Sequence, residues 1–419
     1  SGFEGLGDGA TKNVKCYNGW RDYLDHIKWI DKQRARRERL GISQEDFAVL
    51  AGMSRTHLSR LESHASPVTK KAMRKIEHAF ALAAPDALFL LIDYVRIRFK
   101  TTDARHIIED VLRIRMKYMA QEPKGAYTYT GRYYHGDIVL YTSWDENKGV
   151  LLELKGKGCR QFEALLGAQG RDWIQFFRRC TDEECVCKRL DLAINDCAGM
   201  LDIPMLMRKC DNGECITVFN KFRKYESGAF VKGHQEQNAA SMGYTLYVGS
   251  FDSEVYFCIY EKDYEQLARN DIPLEDTEVK NRFEIRLKNK HADAAVWDLM
   301  CYEDADKVAF EIINRYMRIV DRDDRKSREY WPNNAEWDVF IGQGRGRLRL
   351  AERPKPFDLE RTLNWIDQQT IGTIKAVRMI DEKNGTNHLE GIYQAKELTS
   401  RLKTIVEQQT SNIEDMVIK

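Results

Sequence analysis

No apolar stretch in the 419 residues approaches the roughly 18 that a membrane-spanning helix needs, and no segment has the build of a secretory signal. Those absences point to a cytoplasmic chain with no membrane insertion. Net charge is nearly absent too, with 66 Lys and Arg against 65 Asp and Glu, a formal +1. The total argues neither for nor against a polyanionic partner, so the distribution has to decide. The ten cysteines include no C-x-x-C pair. Cys180, Cys185, Cys187, Cys210 and Cys215 cluster, but without paired knuckles they read as free thiols of a reducing compartment rather than as structural zinc ligands. Gly342-Gln-Gly-Arg-Gly-Arg-Leu-Arg349 is Gly/Arg-rich yet lacks the Gly-Lys-Ser/Thr ending of a phosphate loop, so an ATPase has little support. It reads as a basic loop touching phosphates or as a surface turn.

What is present is a globular composition, 43% apolar and 31% charged, long enough for two or three domains. Residues 1–19 read as a flexible lead, 20–82 as a bundle of short helices, 88–300 as alternating strands and helices, and 301–419 as mostly helical. Charge is unevenly spread. Between Arg21 and Leu82 stand 13 Lys/Arg against 8 Asp/Glu, including the run Lys32-Gln-Arg-Ala-Arg-Arg-Glu-Arg39.

Within that basic segment, Ser43 is placed to cap one helix, with Asp46 three residues on, and Ser54 to cap the next. Gly52 suits the turn between them. Phe47, Ala48, Leu58 and Leu61 give the pair an inward face. The second helix then presents Arg55, Thr56, His57, Ser59 and Arg60, with Gln44 at the start of the first. A short helix packed on one side and donor-rich on the other fits a major groove. The segment from about 34 to 80 resembles the Cro/phage-repressor type of helix-turn-helix. The competing reading is a helical bundle for protein contacts.

Four later segments alternate with period 2. In Asp93–Phe99, Tyr94, Arg96 and Arg98 share one face and Val95, Ile97 and Phe99 the other. In Arg189–Asp196, Arg189, Asp191 and Asn195 oppose Leu190, Leu192 and Ile194. In Val255–Lys262, Tyr256, Cys258, Tyr260 and Lys262 oppose Val255, Phe257 and Ile259. In Arg282–Lys288, Arg282, Glu284, Arg286 and Lys288 oppose Phe283, Ile285 and Leu287. If these strands share a sheet, one face packs on helices and the other gathers arginines, two carboxylates and tyrosines. Arginine forks match phosphate. Asp191 and Glu284 suit a hard cation, Mg2+ or Mn2+, and a nearby phenol could attack phosphorus. Cross-strand salt bridges on a half-exposed sheet are the bland alternative. Thr101-Thr102-Asp103 is expected to cap a helix running to about Met119.

Tyr247–Tyr264 resembles the signature of the Rep_trans family, the rolling-circle replication initiators and related relaxases of Gram-positive conjugative and mobilisable elements. Gly249-Ser250, Ser253 and Ile259-Tyr260-Glu261-Lys262 carry the match. Arg189-Leu-Asp191, Arg282-Phe-Glu284 and Gly156-Lys-Gly-Cys-Arg-Gln-Phe162 supply further blocks. The resemblance spans about 88 to 370.

It implies an α+β fold: an all-α helix-turn-helix domain, a central largely antiparallel sheet with one polar catalytic face and helices on the other, and a helical C-terminal region. It also implies site-specific nicking and rejoining, with Tyr260 as nucleophile and Lys262 and Arg282 assisting. Asp191 and Glu284 would hold the metal. Arg96, Arg98, Arg189 and Arg286 would bind DNA alongside the helix-turn-helix. The implied partners are double- and single-stranded origin DNA, a host helicase, the conjugation machinery and a second copy of the chain. Basic residues common in the family are replaced here by Phe251, Asp252 and Cys258, and the His-hydrophobe-His metal motif of other relaxases is absent. Tyr256 and Tyr264 are rival nucleophiles, and His135 an uncommitted neighbour. Short of the resemblance, a transcription regulator without nicking activity remains the alternative.

Overall fold

The computed structural model describes residues 20–83, 87–229, 240–342, 348 and 350–419. The lead, 1–19, and most of the Gly/Arg-rich insert, 343–347 and 349, lie outside the described residues. The chain opens with four helices, α1 (Trp20–Arg39), α2 (Gln44–Leu50), α3 (Arg55–Glu62) and α4 (Lys70–Ala83). The Ser43 hydroxyl accepts from Asp46 N at 3.1 Å, and that of Ser54 from His57 N at 3.2 Å. These bonds satisfy helix N–H groups that have no partner within the helix. Gly52 sits at φ +56°, the left-handed region its missing Cβ permits. Ile30, Phe47, Ala48, Leu58, Leu61, Ile76 and Phe80 form the core of this bundle.

Next come β1 (Leu88–Phe99), β2 (Ala120–Glu122), β3 (Gly131–His135), β4 (Ile138–Thr142) and β5 (Val150–Lys155). Two helices, α5 (Lys157–Gln169) and α6 (Trp173–Thr181), lead to β6 (Cys185–Asp196). After α7 (Ile203–Asp211) follow β7 (Cys215–Thr217), β8 (Phe222–Ala229), β9 (Ala240–Val248) and β10 (Val255–Glu261). The chain continues through α8 (Lys262–Asn270), β11 (Asn281–Lys288), α9 (Asn289–Tyr302), α10 (Ala305–Tyr316), β12 (Met317–Ile319) and α11 (Ala335–Phe340). Short helices fill 360–416.

Two compact units divide the chain. One takes its described residues from Ser1–Leu91, Ala193–Ile285 and Asp304–Leu350, the other from Ile92–Leu192, Arg286–Glu303 and Ala351–Lys419. In the second, strands hydrogen-bond in the order β2-β3-β4-β5-β1-β6, and in the first as β6-β11-β10-β9-β8. The pairs β1–β5, β2–β3, β3–β4, β4–β5, β8–β9 and β9–β10 are all antiparallel. The α+β reading, with a helical N-terminal domain and a largely antiparallel sheet, is therefore what the chain adopts.

One helix is shorter than expected. Asp103 does cap, accepting from His106 N at 3.0 Å, but the helix Ala104–His106 continues only as a π-turn, Ile107–Val111. Arg113 takes φ +53°, a left-handed conformation that no helix continues through. Met119 lies beyond that break. No helix among the described residues is long and apolar enough to cross a membrane.

Candidate nicking site

In the first unit, β10 delivers Tyr260 beside β11. The Tyr260 hydroxyl donates to Glu284 Oε1 at 2.9 Å, and Lys262 Nζ lies 3.5 Å from the same phenol oxygen. Lys262 also ion-pairs with Glu265. Period 2 carries Lys262 onto the strand's polar face, but the chain turns into α8 at that residue. Its long stem still brings the ammonium back over the Tyr260 ring, 5.5 Å from the centroid. Arg282 Nη1 stands 3.8 Å from Glu284 Oε1, and its Nε donates to Asn195 Oδ1 at 2.7 Å. Asn195 is fully buried, and its Nδ2 has no hydrogen-bond partner. It clamps the guanidinium, a role that its place on the polar face hinted at.

The polar face is more buried than the sequence suggests. Arg282 is 9% exposed and Glu284 4%, while Tyr260 is half-buried. Tyr256, its rival by strand parity, is 5% exposed and packs against Phe251. Cys258 on the same face is also buried. The other rival, Tyr264, belongs to α8 and lies against Gly243.

Register extends this face across two more strands. Tyr260 pairs with Thr245 and Thr245 with Tyr225; Cys258 pairs with Tyr247 and Tyr247 with Arg223. Directly opposed residues share a face. Tyr225, Tyr247, Phe251 and Tyr256 form a chain of edge contacts at 4.8–5.7 Å. The Arg223 guanidinium lies 4.6 Å from the Phe251 ring. A basic group thus reaches the position where the signature residue is Phe251, but from β8. Sequence reading missed Arg223 because only cross-strand register brings it there.

Burial pushes the Glu261 carboxyl up to about 7, against a hydrogen bond from Tyr244 N. Burial also raises Asp263.

The second unit has its own polar face. Asp191 accepts both arms of the Arg189 fork, at 2.9 and 2.7 Å, and Arg286 Nε lies 3.9 Å from Oδ2. Arg189 stacks over Tyr94, 3.9 Å from its centroid. Glu153, which sequence reading did not single out, is the hub. It is 2% exposed and accepts from the hydroxyls of Tyr94, Tyr127 at 2.7 Å and Tyr141 at 3.2 Å. Burial opposes its charge, but those hydroxyls and Lys155 win and hold its carboxyl below the usual range. Burial and the Glu153 contact push the Tyr94 phenol far above its ordinary value, so it remains a neutral donor. Arg96 lies over the Tyr127 ring and 4.0 Å from Glu153. Arg98 belongs to the same β1 face and has a buried Nε without a hydrogen-bond partner.

On the helix-turn-helix, Arg55, Thr56, His57 and Arg60 are exposed and Ser59 half-buried. Gln44 is half-buried, and its amide donates to Glu62 Oε2 at 2.7 Å. His135 is fully buried and stacked on Phe357 at 4.0 Å, and burial pushes its imidazole down to about 3. The cysteine group divides. Cys180, Cys185 and Cys187 line a pocket with Asp293, whereas Cys210 and Cys215 lie in the other unit, close enough for a thiol–thiol hydrogen bond. The nine described cysteines are free thiols.

Among the described residues, no three or more His, Cys, Asp and Glu side chains come together as a metal cage. The donors that do sit on the polar faces, Glu284 and Asp191, are hard carboxylate oxygens. Each by itself fits a cation that keeps water and phosphate oxygens for most of its sphere, as Mg2+ does.

Comparison with known proteins agrees across the chain. Residues 185–392 match the Rep_trans family, described as replication initiation factor. Residues 89–179 match the rolling-circle replication initiation protein N-terminal domain, and 33–84 a helix-turn-helix family. A Bacillus subtilis (strain 168) protein named "Putative DNA relaxase NicK" is 37% identical over 338 residues, 80% of this chain and 94% of that protein. The solved structure of a rolling-circle replication initiator protein from Geobacillus stearothermophilus superposes with a TM-score of 0.55 at 23% identity. It covers 64% of this chain and 99% of its own, and so shares the fold.

Proposed function

We propose that this chain, which belongs to the Rep_trans family of replication initiation factors, nicks and rejoins one strand of origin DNA through Tyr260. The observation that carries the proposal is the Tyr260 hydroxyl donating to the buried carboxylate of Glu284 at 2.9 Å, with Lys262 and Arg282 beside it. A phenol with an ordinary pKa near ~10 is a weak nucleophile at neutral pH. A carboxylate already accepting its hydrogen bond, with two cations to stabilise developing negative charge, answers that need.

In the proposed reaction, Tyr260 Oη attacks the scissile phosphorus in line and its proton passes to Glu284. The bond from phosphorus to the 3′ oxygen breaks and that oxygen takes a proton from solvent water, leaving a 5′-phosphotyrosyl strand and a free 3′ hydroxyl. The ester retains the phosphodiester's energy, so rejoining needs no ATP. Arg282, held by Asn195, and Arg223 are proposed to bind phosphate in the first unit, and Arg96, Arg98, Arg189 and Arg286 in the second. Asp191 and Glu284 are proposed as oxygen donors to Mg2+ or Mn2+, which would polarise a phosphoryl oxygen when bound. Arg189 now occupies Asp191, so transfer of its fork to a DNA phosphate would free that carboxylate. Arg55, Thr56, His57, Ser59, Arg60 and Gln44 are proposed to read the duplex. A helicase, the conjugation machinery and a second copy of the chain are the partners such a reaction calls for.

The test incubates the protein with supercoiled plasmid carrying its origin and Mn2+, then looks for a strand that migrates with protein after denaturation. Wild type forms the adduct, and the labelled peptide maps to Tyr260. Tyr260→Phe loses it, at a stability cost of only about 1 kcal/mol for one hydrogen bond. An adduct that survives the substitution refutes the assignment.

A further inference from the structure

The helix-turn-helix is docked, not tethered. Helix α4 ends at Ala83 and β1 begins at Leu88, and α1 to α4 belong to the same compact unit as Tyr260. Helix α4 packs on α11. Across that contact Arg74 Nη2 lies 3.9 Å from Asp321. Asp321 is itself fixed by Lys209 at 2.8 Å and by Asn334, the residue that caps α11. Glu336 of α11 is half-buried and feels the carboxylates of Glu77, on α4, Asp202 and Asp321.

Charges of α1 also act on groups beside the nucleophile. Lys32 of α1 is in the field of Glu261 and Asp263, and Arg39 of α1 in that of Lys280. The Lys280 carbonyl accepts from Lys262 N at 2.7 Å and from Asp263 N at 3.2 Å. The charges of the first helix of the DNA-reading bundle therefore bear on the turn that immediately follows Tyr260.

We infer that the helix-turn-helix and Tyr260 act as one body, so that the protein measures a fixed distance and rotational phase along the duplex between the sequence read by α3 and the phosphodiester at Tyr260. The inference rests on the nicking role proposed for Tyr260. The packing of α4 on α11, with the Arg74–Asp321 pair across it, removes the hinge that would let the sites float. Arg74 and Asp321 thereby become specificity determinants without touching DNA. B-form DNA turns once in ~10.5 bp. An insertion of about 5 bp between the two DNA sites turns one away from the protein, and about 10 bp restores the phase while adding one turn of length.

The experiment footprints full-length Tyr260→Phe protein on origin duplex with insertions of 0, 5 and 10 bp. The segment belonging to α3 is the one lost in the added variant Arg55→Ala/Arg60→Ala. We expect two protected segments on the unmodified origin. The 5 bp insertion should abolish their joint protection and weaken binding at least tenfold, with partial recovery at 10 bp. Arg74→Glu, which sets repulsion against Asp321, should restore joint protection on the 5 bp duplex. Joint protection at one protein concentration for all three spacings, or a single protected segment on the unmodified origin, overturns the inference. Because footprinting needs no nick, absence of a covalent adduct would count against the proposed reaction alone.

Discussion

Arg37→Ala is expected to unlatch the helix-turn-helix. Arg37 lies on α1 and Glu62 at the end of α3, and their side chains are 7% and 4% exposed. The guanidinium holds both Glu62 oxygens, at 2.8 and 2.9 Å, and the Ile42 carbonyl at 2.8 Å. Gln44, at the start of α2, adds a bond to Glu62. Three helices therefore meet at one buried carboxylate. Removing only the cation leaves that carboxylate buried with an amide for company, at a cost of about 3–5 kcal/mol. Replacing both partners by apolar side chains, Arg37→Met with Glu62→Leu, is close to neutral because no lone charge is left behind. Native-state hydrogen exchange at the amides of Leu58 and Leu61 reads the bundle's stability locally. At about 1.4 kcal/mol per factor of ten, Arg37→Ala should speed exchange there by roughly 10²- to 4 × 10³-fold. The double substitution should return most of that protection. Acceleration below about tenfold in Arg37→Ala, or equal acceleration in both variants, would refute the reasoning.

Two further outcomes follow from buried titratable groups. Burial, then the carboxylates of Glu77, Asp202 and Asp321, push Glu336 up to about 8. An acid raised in the folded state binds its proton more tightly there, so stability should fall as pH rises from about 4.5 towards 8 and level off above it. Glu336→Gln should remove that slope in thermal unfolding measured against pH, and matching profiles for the two proteins would sink the assignment. His135 shows the opposite sign. Its imidazole is depressed to about 3 by burial, so stability is complete above the unfolded value near ~6.5 and is lost as pH falls towards 3. Both ring nitrogens lack hydrogen-bond partners, so His135→Phe should flatten the acid limb and raise the melting temperature at neutral pH; a lower one would count against it.

Local features were legible wherever neighbours in sequence settle the chemistry. The caps Ser43 and Ser54, the turn at Gly52 and the inward faces of α2 and α3 all appear where spacing puts them. The strand cores Val95, Ile97 and Phe99, and Phe283, Ile285 and Leu287, are buried as alternation requires. Alternation says which side chains share a face but not what lies above that face. Tyr256 and Cys258 are on the expected side and are nonetheless buried. The helix expected to reach Met119 stops because Arg113 adopts a left-handed backbone, which no cap or periodicity announced. Glu153, Arg223 and Asp321 take their roles from partners fixed by register or docking, and neither is written in a local pattern.

Charge balance ties the proposed site to its proposed cation. Around Tyr260, Lys262 is matched by Glu265 and Arg282 by Glu284. In the other unit Arg189 is matched by Asp191. A phosphodiester entering a face whose cations are already paired gains little from them, because each guanidinium or ammonium must first give up a carboxylate. Burial sharpens the conflict, since a carboxylate left at 4% exposure without a counter-charge costs several kcal/mol. The cation proposed above would remove it. Bound at Glu284, its charge would let the Arg282 fork turn to phosphate with no anion stranded. On this reasoning the first contribution of such a cation would be to make the substrate's charge tolerable, and polarisation of the phosphoryl oxygen would come second.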